Sequence, residues 1–517
     1  MVAALLLAPL LPLLGGIALL LAGRAAPRIP RPVTWGIALA LAIAALAAVL
    51  LIATQRPTLD RPWVPAIGMR LHLSADGFSV PLLLLTAAIG VLVVLHAGWK
   101  DHGPTYLGAL LMVVGGAIAT FLVQDAIAFV LAFESVLIPM WLLIARFGDT
   151  RQPGERERAA LMFLLYSVLG STLMLLGILV LVISAGTSDF AGIARANLSG
   201  STQIVVATLL MVGIGMKIPI WPLHSWLPAA HTAAPTGGSV LLAAVLLKMG
   251  TYAVVRLVVV PLPLGLHTIA PYVAVFAVLG ILIGGLVCLV ERSLKRLVAW
   301  SSIAHMGFVV LALMTGTTLG IQAALYANVA HGVISALLFL VVGGLKSRWG
   351  NDDLDTARRS LRDVSPRLGF ALIVGFAGSL ALPGLAGFWG EILTLLAAWG
   401  PSSDRPQVLF RVLASLAALG AVLATAYALR VLRIVWAGGS PTAADDSIGA
   451  DGGTGHSGME DPSSEAAAAR DAHSVEWVAM ALLMAGVVAL GVWPIALMDQ
   501  TSDALRLVAY AFTGGQR

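Results

Sequence analysis

Apolar stretches of membrane length recur along the chain, separated by short polar or basic interruptions. A helix needs about 20 consecutive apolar residues to cross the hydrocarbon core of a bilayer. The stretches lack the alternating period of barrel strands, and backbone groups in lipid must be bonded within their own segment, so helices are expected. The pattern predicts an all-α membrane protein with about fourteen transmembrane helices. The predicted spans are 2–23, 33–54, 77–98, 106–123, 125–146, 159–184, 202–222, 238–259, 271–291, 295–315, 319–345, 367–399, 408–436 and 475–498.

The composition agrees with a chain that folds in lipid. Hydrophobic residues make up 59% of the 517 residues, charged residues only 11%, and the mean hydropathy is +0.95. The net charge of +5 is weak evidence for nucleic-acid binding, because the basic residues lie in short loops between the spans. The single cysteine, Cys288, excludes disulfides, iron-sulfur clusters and thiolate zinc sites within this chain. We therefore expect no cofactor, metal or nucleic acid on this chain.

Loop charges predict the orientation of the spans. About twenty Lys and Arg residues lie in loops that follow odd-numbered spans, against about nine on the opposite face. The positive-inside rule then makes the odd loops cytoplasmic and places both termini on the outer face of the membrane. Residues 437–474 are rich in Gly, Ala, Ser and acidic residues, which predicts a disordered acidic cytoplasmic loop before the last helix and tail at 475–517.

A small set of ionisable residues lies within the predicted spans, and these carry the candidate chemistry. One charge at the bilayer centre costs roughly 2.5 kcal/mol or more, so several in one chain indicate a polar path across the bundle. The candidates are Glu134, Lys217, Lys248, His305, His331 and Glu391.

Two of these residues stand beside sequence signals for an interrupted helix. Pro219 and Pro222 follow Lys217, and Pro383 precedes Glu391 in a glycine-rich stretch. Proline removes a backbone donor and breaks a helix, as in the discontinuous helices of transporters. Lys248 lies too far from both ends of its apolar run to reach the interface, so its amine needs protein or water as a partner.

Structural roles are the alternative for several of these residues. Glu134 could pair with a lysine only to lock two helices together. A neutral His305 or His331 could bond to a serine or a carbonyl in a packed bundle.

Four further ionisable residues are expected to lie outside the relay. For His224 and His231, in a proline-rich segment that we expect to be a re-entrant loop, loop packing is an equally good explanation. Asp125 and Arg256 are predicted to be boundary residues that meet the headgroups.

Three stretches resemble the proton-translocating antiporter module shared by respiratory complex I and Mrp antiporters: AFESVLIPMWLLIARFG, KIPIWPLHSWLPAAHTAAPTGGSVLLAAVLLK and LKRLVAWSSIAHMGF. The resemblance extends from the second to the thirteenth span. It implies N-terminal helices at 1–105 followed by two inverted five-helix repeats at 106–259 and 260–436, each with a broken helix. Glu391 stands where the L- and N-type subunits carry a lysine, which implies the M-type member of NADH-quinone oxidoreductase.

The resemblance also implies roles and partners. Glu134 would pair with Lys217, Lys248 would be the central relay, His305 and His331 would be links, and Glu391 would be the exit carboxylate. A carboxylate stabilises the charge of a buried lysine, so moving Glu134 away would turn Lys217 into a proton donor. The implied partners are L-type and N-type neighbours, with FMN, iron-sulfur clusters and quinone in partner subunits. The alternatives are an Mrp-type cation/proton antiporter subunit and a structural scaffold of a respiratory assembly.

Overall fold

The computed structural model describes residues 2–25, 29–65, 68–99, 102–149, 154–356, 358–438 and 471–500. This part contains thirteen helices that are long and apolar enough to cross a membrane. Their bounds, with internal interruptions included, are Val2–Arg24, Arg31–Gln55, Ser79–Gly98, Pro104–Leu122, Ala126–Phe147, Glu155–Ala185, Gly200–Lys217, Thr236–Val259, Pro263–Val290, Leu294–Met314, Thr318–Trp349, Gln407–Trp436 and Ser474–Val492. Shorter helices are Phe190–Arg195, Trp226–Ala233, Leu361–Val364, Pro366–Ser379 and Ala386–Trp399.

The helices confirm the predicted all-α membrane fold and correct several boundaries. The predicted span 367–399 is an interrupted helix, formed by Pro366–Ser379 and Ala386–Trp399, and it completes the expected set of about fourteen. The span predicted at 202–222 ends at Lys217, because the following prolines cannot continue the helical hydrogen bonds. The predicted acidic loop falls mostly on 439–470 and the predicted tail on 501–517, which lie outside the described residues.

Two helices form the centre of the bundle. In the most apolar 18-residue stretch of Thr318–Trp349, 100% of the residues are buried inside the protein. The corresponding share in Thr236–Val259 is 94%. Helices at the periphery instead expose large apolar side chains, such as Ile183, Val290 and Val408, as expected for surfaces that face lipid. Because Lys248 and His331 lie on the two central helices, their side chains are far from this apolar surface.

The first break in the bundle, residues 218–225, separates Gly200–Lys217 from Trp226–Ala233. Residues before proline avoid the helical conformation, and the prolines lack backbone donors, so the helix ends two residues before Pro219, at Lys217. The indole of Trp226 donates to the carbonyl of Met216 at 2.8 Å and so satisfies a group at the helix end. The break therefore leaves Lys217 on the last turn of a helix inside the membrane domain.

The second break, residues 380–385, separates Pro366–Ser379 from Ala386–Trp399. Pro383 stops the helix, and Gly384 turns the chain with a φ of +87°, a conformation that favours glycine. Gly390 lets the second half approach the central helix closely, since a Cβ there would lie 2.9 Å from the Ala327 backbone. This close packing brings Glu391 to the central helix.

A hairpin is the main feature that the apolar pattern did not predict. Strands Thr58–Val64 and Met69–Ser74 pair antiparallel, with Leu59 opposite Leu73. The carboxylate of Asp125 accepts a hydrogen bond from the Arg70 backbone N–H at 3.1 Å and another from Ser188 Oγ at 2.5 Å.

The two predicted boundary residues face the protein and not the headgroups. Asp125 is fully buried, because its carboxylate caps the following helix and pins the hairpin. Arg256 bonds to Asp76 at 2.5 Å, so its guanidinium has a partner within the protein. Both residues do stand at the ends of membrane-length helices, as predicted, but their side chains bond to protein groups.

Candidate functional site

Lys217 occupies an apolar pocket at the first break. The residue is 5% exposed, and its Nζ has no hydrogen-bond partner within the part of the chain that the structure describes. Two aromatic rings flank the amine. Its Nζ lies 5.1 Å from the ring centre of Phe133 and 5.8 Å from that of Phe163. A ring face attracts a cation within about 6 Å, so the rings hold the ammonium without accepting its proton.

Glu134 lies near Lys217 but does not form the predicted pair with it. Its Oε1 accepts a hydrogen bond from Ser171 Oγ, and no ion pair joins the two side chains among the described residues. The carboxylate is still near enough to act electrostatically on the lysine. The expected direct contact is therefore absent in this structure, in which Ser171 binds Glu134 and the two phenyl rings flank Lys217.

Lys248 is fully buried and is bonded on two sides. Its Nζ lies 2.7 Å from the carbonyl of Ala243 and 2.5 Å from Nδ1 of His331. Ala243 belongs to a π-helical turn, Leu242–Leu246, immediately before the helix that carries the lysine. Such turns change the hydrogen-bond register of a helix and occur often at functional sites. The side chain thus has a backbone acceptor on its own helix and a titratable partner on the other.

From His331 the titratable groups continue to the second break. The ring centres of His331 and His305 are 5.7 Å apart. His305 Nδ1 lies 3.3 Å from Glu391 Oε1, and its Nε2 lies 2.8 Å from Ser379 Oγ. The structure therefore brings Lys248, both histidines and Glu391 into one row, and it places Lys217 and Glu134 outside that row.

A cavity lies beside the two histidines and Glu391. Its lining also includes Ala327 and Ala330 on the central helix. The cavity offers about 20 Å³ for the centre of a water molecule, and about 10–15 Å³ is enough for one water when polar partners are present. A water here can bridge the separation between the two rings.

Several polar residues near the candidate relay residues had no distinct signal in the sequence. Ser379 and Ser171 bind His305 and Glu134, respectively. Serine is common in membrane helices, so neither residue could be singled out. His231, which loop packing explained equally well, is fully buried and stacks on Phe339 with ring centres 4.5 Å apart.

The arrangement can carry a proton laterally through the middle of an apolar bundle. An amine, two imidazoles and a carboxylate all bind and release protons, and two of the three links in the row, Lys248–His331 and His305–Glu391, are direct. Such groups within membrane helices mark ion pathways and proton relays. Fold and site together define a polytopic membrane protein with a buried row of titratable side chains.

Comparisons with known proteins agree with this class. The sequence profile described as "NADH:quinone oxidoreductase/Mrp antiporter, TM" matches residues 123–420. A Synechococcus sp. (strain JA-3-3Ab) protein named NAD(P)H-quinone oxidoreductase chain 4 1 is 37% identical over 380 residues, which cover 73% of this chain and 71% of that protein. A Prochlorococcus marinus (strain MIT 9515) protein named chain 4 of the same enzyme is 38% identical over 384 residues, 73% of this chain and 68% of that one.

Solved structures share the fold over nearly the whole chain. A chain of respiratory complex I from Thermus thermophilus has a TM-score of 0.82 and 27% identity, and covers 98% of this chain and 99% of its own length. A chain of the Mrp complex from Dietzia sp. has a TM-score of 0.79 and 20% identity, and covers 99% of this chain and 52% of its own length. This protein belongs to the NADH:quinone oxidoreductase/Mrp antiporter transmembrane family.

Proposed function

We propose that this chain is the M-type, proton-translocating membrane subunit of a respiratory NADH-quinone oxidoreductase. The observation that carries the proposal is the contiguous buried row from Lys248 through His331 and His305 to Glu391. The relatives named chain 4 of NAD(P)H-quinone oxidoreductase support the placement in that enzyme. The carboxylate at position 391, where the resemblance expects lysine in the L- and N-type subunits, supports the M-type assignment.

In this proposal the row moves protons in steps that are driven by charge. Lys248 passes a proton to His331 along their direct contact, and a water in the cavity carries it from His331 to His305. His305 then delivers it to Glu391 along their own contact. Lys217 takes up a proton when Glu134 leaves Ser171 and approaches it, because a carboxylate favours the charged form of a buried amine. The stroke begins when Glu134 moves away again, because its departure turns Lys217 into a proton donor. Moving one charge against 100 mV costs roughly 2.3 kcal/mol, which a change in one buried pair can supply.

The proposal places the chain in a bacterial inner membrane with both termini on the outer face. Its neighbours are L-type and N-type antiporter-like subunits, and the resemblance assigns FMN, iron-sulfur clusters and quinone to other subunits. Quinone reduction elsewhere in the complex then drives the row. The assembled complexes among the solved relatives support such neighbours.

The test replaces Lys248 in the assembled complex. Lys248→Ala is expected to lower proton pumping at least about tenfold, because a truncated amine cannot bridge Ala243 and His331. The control is Lys346→Ala, a lysine that bonds to Asp149 at a helix end, which is expected to leave pumping unchanged. Pumping is measured in membrane vesicles and divided by the amount of complex that co-purifies with the tagged chain. Normal pumping by an assembled Lys248→Ala complex would refute the proposal.

A second candidate is a cation/proton antiporter subunit of the Mrp type, because the matching family includes both classes. That function would use the same row for sodium exchange. Purification of the tagged chain separates the two, since flavin and iron-sulfur proteins as companions support the oxidoreductase. Sodium-dependent proton movement without redox companions supports the antiporter.

A further inference from the structure

The contact between Lys248 and His331 is the first of two polar contacts between the central helices. The second contact joins Thr251, three residues after Lys248, to Asn328, three residues before His331. Thr251 Oγ1 lies 3.1 Å from Asn328 Oδ1. Positions three apart lie on one face of a helix, and the central helices run antiparallel at this point, so the second contact follows the register of the first. Thr251 and Asn328 are both fully buried.

The carboxamide of Asn328 has a polar atom that no protein group satisfies. Its Nδ2 has no hydrogen-bond partner, although the residue is 0% exposed. Thr251 carries one hydroxyl proton and lies 3.0 Å from the carbonyl of Lys248 as well. If Thr251 donates that proton to the Lys248 carbonyl, the carboxamide of Asn328 can rotate by half a turn about its last bond. Nδ2 then donates to Thr251 Oγ1, and Oδ1 becomes the atom without a partner. In either orientation one polar atom of a buried side chain lacks a partner among the described residues.

Within the described part of the chain, protonated Lys248 lacks an acceptor for one of its N–H donors. A protonated lysine carries three N–H donors. Two of them have acceptors in this structure, the Ala243 carbonyl and His331 Nδ1, and no further partner is found among the described residues. The free oxygen of the turned Asn328 carboxamide is the type of acceptor that the third donor requires.

We propose that Asn328, anchored by Thr251, is a positioning residue for proton exchange between Lys248 and His331. Its carboxamide oxygen accepts a hydrogen bond, directly or through one water, from the third N–H of protonated Lys248. In the exchange an N–H bond of Lys248 breaks, its electron pair stays on Nζ, and a new N–H bond forms at His331 Nδ1. The carboxamide neither gains nor loses a proton. This inference rests on the proposed function, because it refines one step of the row.

The experiment uses the assembled complex with Asn328→Leu, Thr251→Val and the double variant. Each single change is expected to lower pumping about tenfold, the effect of losing one hydrogen bond to a charged group. The double variant is expected to pump no less than either single one, because both changes remove the same support. Thr251→Ser, unlike Thr251→Val, keeps a hydroxyl at this position and is expected to pump like the unaltered complex. The matched control is Ser335→Ala, a buried residue of the same helix whose hydroxyl bonds only to the backbone of Gly332.

A solvent isotope effect separates positioning from packing. If proton exchange becomes rate-limiting in Asn328→Leu, turnover in deuterated water falls more in that variant than in the unaltered complex, whereas a packing defect leaves the ratio unchanged. Should Asn328→Leu fail to assemble, Thr251→Val and its rescue by Thr251→Ser decide the question.

The outcomes that overturn the inference differ from those that overturn the proposed function. Normal pumping by both single variants, or losses that multiply in the double variant, would overturn the role of Asn328. Lys248→Ala is measured in parallel. If it stops pumping while Asn328→Leu does not, the inference alone fails. If it pumps normally, the proposed function fails.

Discussion

The two breaks in the bundle are built alike and hold their charged residues in opposite ways. At the first break, Lys217 has aromatic faces around its amine and no hydrogen-bond partner. At the second break, Glu391 contacts His305, which in turn contacts Ser379. The cavity beside the first break is lined by apolar side chains and glycines, whereas the cavity beside the second adds His305, His331 and Glu391 to an otherwise apolar lining.

The difference shows how one helical device can serve two purposes. A proline break places an ionisable group in the membrane interior in both cases, but only the second group has direct titratable neighbours. A charge without a partner in an apolar setting is a high-energy arrangement, which a small displacement of Glu134 can relieve. The first break thus suits a switch, and the second suits a conducting contact.

The largest expected effects come from two single variants, in which the charged residue at one break, Lys217 or Glu391, is replaced by leucine. Lys217→Leu and Glu391→Leu should each lower pumping at least about tenfold if both breaks serve the relay. Their effects on stability should have opposite signs. Lys217→Leu removes an unpaired amine from apolar surroundings and should be neutral or stabilising by about 1–4 kcal/mol. Glu391→Leu leaves the Nδ1 side of His305 without its partner and should destabilise by about 1–3 kcal/mol.

The measurement for this pair is the temperature at which each tagged chain precipitates from detergent, with pumping assayed on the same preparations. The unaltered chain and Lys346→Ala serve as references. Equal destabilisation by both leucine variants would show that Lys217 has a stabilising partner. The contrast between the breaks would then be lost.

The sequence predicted the parts of this comparison that depend on local chemistry. Lys217 and Glu391 stood out because a charge within an apolar run is costly, and the prolines beside them marked both breaks. The partners could not be predicted, since the bonds of Glu134 to Ser171 and of Lys248 to Ala243 depend on helix packing and on a π turn. The pattern of apolar and polar residues along the sequence predicts how deep a residue lies in the membrane. Its contacts depend on how the helices pack in three dimensions.

The hairpin was missed for a related reason. Its strands are short, lie between two apolar runs and carry polar residues on both faces, so they resemble an ordinary loop. What fixes them is the buried carboxylate of Asp125, more than fifty residues further along the chain. No local pattern around Asp125 distinguishes that role from a charge at a membrane boundary.

A smaller effect is expected from filling the cavities at the two breaks. Ala330→Leu projects into the polar cavity and should displace the water that we propose between His331 and His305, lowering pumping roughly tenfold. Gly280→Ala adds a methyl group at the first break, where the nearest atom would be 3.7 Å away, an ordinary contact. It should leave pumping unchanged and stabilise the chain by about 0.5–1 kcal/mol, because glycine is the poorer helix former.

Pumping and precipitation temperature of these two variants are measured together. Ala330→Val, with a smaller side chain, is expected to give an intermediate loss. If Gly280→Ala lowers pumping as much as Ala330→Leu does, the first cavity also carries water, and the distinction between a dry and a hydrated break is wrong.

The smallest expected effect concerns the rings that hold Lys217. Phe163→Leu removes one aromatic face from the ammonium and keeps the pocket apolar. A cation–π contact is worth about 0.5–2 kcal/mol, so we expect a change in pumping of about threefold. Phe129→Leu is the matched control, because Phe129 is equally buried and packs against Phe133 without a recorded contact to the lysine. Both variants lose similar packing, so a difference between them isolates the contribution of the ring face to the switch. Equal pumping by the two would mean that the rings only exclude water from Lys217, and the switch would then depend on Glu134 alone.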